Sequence, residues 1–243
     1  MVLDGAANIC MLKPTGSMAF KEYADCIFLP YLNSPLKNIV RLDVVWDVYT
    51  GDSLKFSTRE KRGKGIRRRE NSTINTVPSN WQEFLRVAEN KSELFQYLAI
   101  QAAKNLTPEK NVFLTYKQNV LTCNSHQDIS QLFPTTHEEA DSRMFLHVRD
   151  AITKSLKKVM IRTVDRDVLV LAVYCASLST EVELWVAFGV GNKKRYVPAH
   201  KMASKMGDEQ GVTQFHPLLI KARKRLFKSG QQCQKLLQFL LTT

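Results

Sequence analysis

The sequence predicts an α/β fold: a mostly parallel central sheet with helices on both faces. Three observations lead there. Strand-like runs alternate with helical stretches along most of the chain. The runs are apolar almost throughout, as strands buried on both faces must be. Acidic residues stand where those runs end. With 243 residues, 44% of them hydrophobic, the chain fills one core amply and two only marginally. One domain is therefore read over residues 1–210, followed by an atypical basic tail over 211–243.

"MVLDG" is a short apolar run closed by Asp4 and Gly5, as a buried strand would end. "FKEYADCIFLPYL" (20–32) spaces Phe20, Tyr23, Ala24, Ile27 and Phe28 as a helical stripe, which Pro30 should stop. "IVRLDVVWDVY" (39–49) is rich in β-branched and aromatic residues and reads as a strand, with Asp47 near its carboxyl end. Asp43, alternating with Leu42 and Val44, reads as a polar residue in or beside that strand.

Between Lys55 and Arg69 stand eight basic residues and one acid, Glu60. Such a stretch cannot fold by packing, so 55–80 is read as a mobile basic segment. Ser79 and Gln82 make a capping box ahead of two helical stretches, 81–90 and 91–104. Trp81, Phe84 and Leu85 fall at helical spacing and read as core. "NVFLTYKQNVLTC" (111–123) supplies one or two strands. A helix from about Glu139 to Ala151, a strand over "KKVMIRT" and another within "VELWVAFGV" (182–190) follow. "DVLVLAVYCASL" is apolar all round, so periodicity leaves helix and strand both open. There is no internal repeat.

Lys and Arg total 35 against 23 Asp and Glu, a formal charge of +12. That balance points to polyanionic partners, nucleic acid before an anionic membrane surface. No run of eighteen apolar residues occurs, so no membrane span is expected. The start has no basic n-region and Asp4 interrupts its apolar stretch, which argues against secretion. Five scattered cysteines with no Cys-x-x-Cys pair read as reduced, mostly buried thiols of a nuclear or cytoplasmic protein. "KRGKGIRRR" and "KARKR" are basic clusters of nuclear-import type. His137, His147 and His200 show no ligand spacing and read as core or surface residues.

Asp4, Asp47 and Asp165 each follow an expected strand, Asp167 comes two residues later, and Glu139 and Asp141 open a helix. Sites in open parallel sheets form outside the carboxyl ends of the strands. Six carboxylates at one edge would raise one another's pKa unless cations were bound there. Two Mg²⁺ or Mn²⁺ ions roughly 3.5–4 Å apart would resolve the repulsion and clamp a phosphodiester undergoing displacement. Structural readings stand beside these. Thr135 with Glu138, and Thr136 with Glu139, fit capping boxes, and Asp165 or Asp167 can cap the helix that follows.

Taken in order, these motifs resemble the PIN-like fold of the flap endonuclease and XPG-type nucleases. Asp4 in "VLDG" matches that family's first aspartate, and Asp47 followed by a basic stretch matches its second acid and basic arch. Glu139-Ala140-Asp141 matches its Glu-Ala-Glu/Asp, and Thr163, Asp165 and Asp167 match its Thr-x-Asp-x-Asp. The string also resembles uncharacterised animal proteins sharing "SLK-x-x-TR-x-x-RG-x-G-x-RR" and "HEEAD-x-R". The resemblance covers roughly residues 2–200 and makes "DVLVLAVYCASL" a helix starting at Asp167.

It implies a metal-dependent nuclease acting on DNA or structured nucleic acid, with Asp4, Asp47, Glu139, Asp141, Asp165 and Asp167 holding two Mg²⁺ or Mn²⁺ ions. Lys55, Arg59, Lys61 and Arg62 would steer and stabilise the scissile phosphate. Lys64, Arg67, Arg68 and Arg69 would hold the backbone without regard to sequence. The chain departs from the family at its end. The family's further aspartate should follow Phe215-His216, but residues 217–243 contain no acid and no helix-hairpin-helix segment, and read as a replaced or truncated end. The alternatives are therefore a non-catalytic nucleic-acid-binding derivative and, on a different α/β fold, a Mg²⁺-dependent phosphatase. Oligomeric state is not indicated.

Overall fold

The structure, a computed structural model, describes residues 1–48, 75–133, 140–177 and 181–207. Glu139, all of the basic residues from Lys55 to Arg69 and the tail 211–243 lie outside the described residues. The fold is α/β, and the chain forms two compact units. One comprises residues 1–4 with the chain from Asp141 onward; the other is Gly5–Ala140.

The first unit holds β1 (Val2–Asp4), β5 (Lys158–Thr163), β6 (Glu183–Phe188) and β7 (Arg195–Pro198). Strands β1 and β5 pair in parallel, as do β5 and β6, while β7 returns antiparallel on β6. Helix α7 (Arg166–Ser177) makes the crossover from β5 to β6, the connection parallel strands require. It buries Val168, Leu171, Ala172 and Val173, and packs against β6 and against α8 (Ala199–Gly207). The expected helix at Asp167 thus begins one residue earlier. Val2, Leu3, Val159, Ile161, Leu184 and Val186 supply the sheet's part of this core, each at most 3% exposed. Helix α6 (Ala140–Thr153) contributes Met144, Phe145 and Val148. It also buries a polar stripe at helical spacing, Arg143, His147 and Asp150. Burial pushes the Arg143 guanidinium down to about 10.

The second unit holds β2 (Arg41–Val45), parallel to β3 (Asn111–Tyr116), which turns back into β4 (Asn119–Thr122). The segment 111–123 is therefore two strands. The hairpin loop is Lys117 and Gln118, with Lys117 in the left-handed region at φ 53°. On these strands pack α1 (Gly5–Met11) and α5 (Ala88–Asn105), while α4 (Trp81–Phe84) packs on α1 and on a longer helical run between α1 and β2. Aromatic residues dominate the core. Trp46 stacks on Phe95 at 4.5 Å, Trp81 on Phe84 at 5.4 Å, and Tyr23 tilts against Trp81 at 5.1 Å. The Trp81 indole N–H and Tyr23 hydroxyl donate to the carbonyls of Ile9 and Leu12 at 3.1 and 2.7 Å, so both polar ends are satisfied.

Three expectations need correction, and one needs an addition. Pro30 does not stop its helix: α2 (Phe20–Tyr23) passes through a π-helical segment (Ala24–Phe28) into α3 (Leu29–Leu36), where Pro30 lies in the first turn. The π segment bonds Leu29 N–H to the Ala24 carbonyl, a five-residue spacing that re-registers the ladder just before the residue with no N–H. The cap before Trp81 is Asn80 rather than Ser79, with its Oδ1 accepting from Glu83 N–H at 3.2 Å. Asp43 does lie within β2, as expected, but its burial was not foreseen. It is 0% exposed and held by Arg41, whose Nε and Nη2 approach its oxygens at 2.8–3.2 Å. Finally, the thiols are less buried than expected, since Cys10 and Cys26 are exposed.

Candidate functional site

In the first unit, the register brings four positions into one row at the carboxyl edge of the sheet. Leu3 pairs with Arg162, which sets Asp4 level with Thr163; Thr163 pairs with Phe188, and Phe188 with Arg195. Asp4 is buried, 8% exposed, and its Oδ2 accepts a hydrogen bond from Thr163 Oγ1 at 3.1 Å. The same hydroxyl accepts from Asp165 N–H at 3.1 Å. Asp165 Oδ1 in turn accepts from Asp167 N–H at 2.7 Å. Thr163 is therefore the hinge of the arrangement. A hydroxyl can donate and accept at once, so one side chain fixes the carboxylate of β1 and the loop that carries the next two.

Asp165 is exposed, has no cation partner among the described residues, and caps α7 through its bond to Asp167 N–H. Asp167, in the first turn of α7, and Asp141, in the first turn of α6, are both half-buried. Carboxylates in a helix's first turn are stabilised by its dipole, and this serves a cap and a site equally. Among the described residues, no three His, Cys, Asp or Glu side chains are gathered closely enough to enclose a metal ion as placed.

Asp47 belongs to the second unit. It follows β2, and its Oδ1 accepts from Ala140 N–H at 2.9 Å. It also lines an open cavity of about 430 Å³ at the carboxyl ends of β2 and β3, together with Trp46, Phe95, Gln96, Thr115 and Lys117. Thr115 Oγ1 accepts from Trp46 N–H at 2.7 Å and so fixes the backbone just before Asp47. Glu139, Lys55, Arg59, Lys61, Arg62, Lys64, Arg67, Arg68 and Arg69 lie outside the described residues.

Two features escaped the sequence reading. Arg162, 7% exposed, sits beside Thr163 and donates through Nη1 to the carbonyls of Ala187 and Gly189 at 2.9 and 2.6 Å. An arginine inside an apolar strand run was the available signal. The other is "NKKRY" after β6, three consecutive cations beside a tyrosine.

Comparisons with protein-family models, curated proteins and solved structures return no match. No helix among the described residues is long and apolar enough to cross a membrane.

Proposed function

We propose that the chain is a metal-dependent nuclease-like protein acting on phosphodiester bonds of DNA or structured nucleic acid. One observation carries the reading: Asp4, Thr163 and Asp165 form a hydrogen-bonded chain at the carboxyl edge of a parallel sheet, where open α/β sheets place their ligands. In this unit Asp4, Asp141, Asp165 and Asp167 would hold Mg²⁺ or Mn²⁺. All are hard oxygen donors, the kind such ions take, so the donor set fits in chemistry. Once bound, the ions would supply Lewis-acid activation of the phosphodiester.

The protein's own part is positional. Thr163 holds the Asp4 carboxylate by donating to one oxygen, and it holds Asp165 through the backbone. Each carboxylate then stands on a strand end or helix start rather than on a long loop. The basic segment with Lys55, Arg59, Lys61, Arg62, Lys64, Arg67, Arg68 and Arg69 supplies polyanion affinity in this proposal. The formal charge of +12 supports it.

The second reading, a non-catalytic nucleic-acid-binding derivative, is favoured by the absence of any acid in residues 217–243. One experiment separates the two readings and tests both. Thermal unfolding is followed with and without Mn²⁺ for the wild type and for Asp165→Asn with Asp167→Asn, and cleavage of labelled DNA is assayed in parallel. An ion at a hundredfold excess over its Kd stabilises by about 2.7 kcal/mol. A shift in Tm that the double variant loses, with cleavage, supports the nuclease. The same shift without cleavage selects the binder. No shift at all, with a double variant less stable than the wild type, leaves these acids as helix caps and removes the metal-dependent reading.

A further inference from the structure

We propose that the turn between β6 and β7 is a nucleic-acid contact of its own. It would seat the backbone of a single strand on Lys193, Lys194 and Arg195 and stack a base on Tyr196. This deepens the nucleic-acid reading above, but it does not depend on bound metal.

Position is the first argument. Arg195 stands in the row Asp4, Thr163, Phe188, Arg195 at the carboxyl edge. Arg195 is two strands from Thr163, about 10 Å at the usual strand spacing. Side chains alternate along a strand, so Arg195 shares the face of Asp4 and Thr163 while Tyr196 takes the other, and a bound strand would straddle the edge at β7.

Charge is the second. Lys193, Lys194 and Arg195 are all exposed, and none has a carboxylate partner among the described residues. The lysines at the opposite, amino end of β5 behave differently. Lys157 pairs with Glu181 at 3.3 Å and Lys158 with Glu183 at 3.2 Å. The lysines at the amino end are thus held in ion pairs, and the cations of this turn are not. Unneutralised cations in a row are what a phosphate backbone exploits by releasing its counterions.

Rigidity is the third. The turn starts at Gly189, whose φ of +93° and closeness to the Lys193 carbonyl, 2.6 Å from where a Cβ would stand, leave room only for glycine. The carbonyls of Val190 and Gly191 accept from Lys193 and Lys194 N–H at 3.0 and 3.1 Å. Arg162 ties the Gly189 carbonyl down from below. Antiparallel pairing of Arg195 with Phe188 and of Tyr196 with Ala187 closes the far side. Cations on such a turn lose little backbone freedom on binding.

The aromatic ring is the fourth. Tyr196 is 55% exposed, and Lys194 Nζ lies 5.0 Å from its ring centroid. An exposed ring among cations is the arrangement by which proteins stack and hold unpaired bases. A duplex offers no free base faces, so the expected ligand is single-stranded. Besides Tyr196, the exposed large hydrophobics near this turn among the described residues are Val190 and Val164, two small side chains that give a lipid surface little to embed.

The test is an anisotropy titration of the full chain with fluorescent oligothymidylate and with a blunt duplex, over a range of salt, in EDTA. Lys193→Ala with Lys194→Ala and Arg195→Ala should weaken single-strand binding and flatten the log–log salt slope by about 2. Lys194→Glu alone should weaken binding in the same direction. Tyr196→Ala should cost about five- to hundredfold on the single strand and little on the duplex, and Tyr196→Phe should bind like the wild type. The proposal falls if the triple variant keeps affinity and slope. It falls equally if Tyr196→Phe loses as much as Tyr196→Ala, or if phosphatidylserine vesicles bind this turn and oligothymidylate does not. Because the chelator removes divalent ions, failure of the metal reading leaves this outcome intact. Failure here, in turn, leaves the Mn²⁺ shift intact.

Discussion

Gly5 lies against the indole of Trp46 so closely that a Cβ on Gly5 would fall 2.2 Å from Cε3 and 2.5 Å from Cζ3. The indole has little room to retreat, since it is stacked on Phe95 at 4.5 Å and flanked by Phe28 at 6.1 Å. Gly5 is helical, so propensity alone would make Gly5→Ala a gain of about 1 kcal/mol. Overpacking a full core costs about 1–3 kcal/mol. The expected result is a net loss of stability in urea unfolding; a net gain would show that Trp46 yields.

Thr163→Val should remove the donor to Asp4 and the acceptor for Asp165 N–H while keeping the shape of the side chain. Losing these two hydrogen bonds, one of them to a carboxylate, costs about 1–3 kcal/mol. Thr163→Ser, which keeps the hydroxyl, should lose less than half as much. Equal losses in thermal unfolding would assign the effect to packing by the methyl group instead.

Asp43→Ala should be among the most damaging single changes in the second unit. Arg41, 2% exposed and lying over the Phe113 ring at 4.3 Å, would keep a buried charge without its carboxylate. Breaking a buried pair from one side costs about 3–5 kcal/mol. Replacing both partners, Arg41→Met with Asp43→Leu, should recover much of that loss. A double variant as unstable as the single one would show that the pair does more than neutralise itself.

The thiols should divide by reactivity. Burial pushes Cys123 up to about 11 and Cys175 up to about 12, whereas Cys10 and Cys26 are exposed. Near neutral pH, iodoacetamide should label Cys10 and Cys26 first, read by peptide mass spectrometry. The raised values also set a sign. The folded chain keeps these two protons after the unfolded chain has released them, so stability should fall as pH rises from about 9 towards 12. Flat stability across that window would contradict the burial of both groups.

The sequence by itself determined the elements whose side chains all face apolar surroundings. The strands at 2–4, 41–45, 158–163 and 183–188 were legible because both faces are covered, which leaves unbroken apolar runs. It also placed Asp4, Asp47 and Asp165 at strand ends, because an acid that closes such a run marks where burial stops. It could not read Asp43, because burying a charge depends on a partner, and Arg41 becomes that partner only when both sit at the amino end of one buried strand. It missed the continuation of the helix through Pro30, because a π segment is a matter of hydrogen-bond register rather than of composition. The hairpin at Lys117 and the turn at Gly189 were decided by backbone dihedrals that only strand pairing imposes. The link from Asp4 to Thr163 belongs wholly to the tertiary structure. It joins positions 159 residues apart, and nothing short of parallel pairing of β1 with β5 could bring that hydroxyl to that carboxylate.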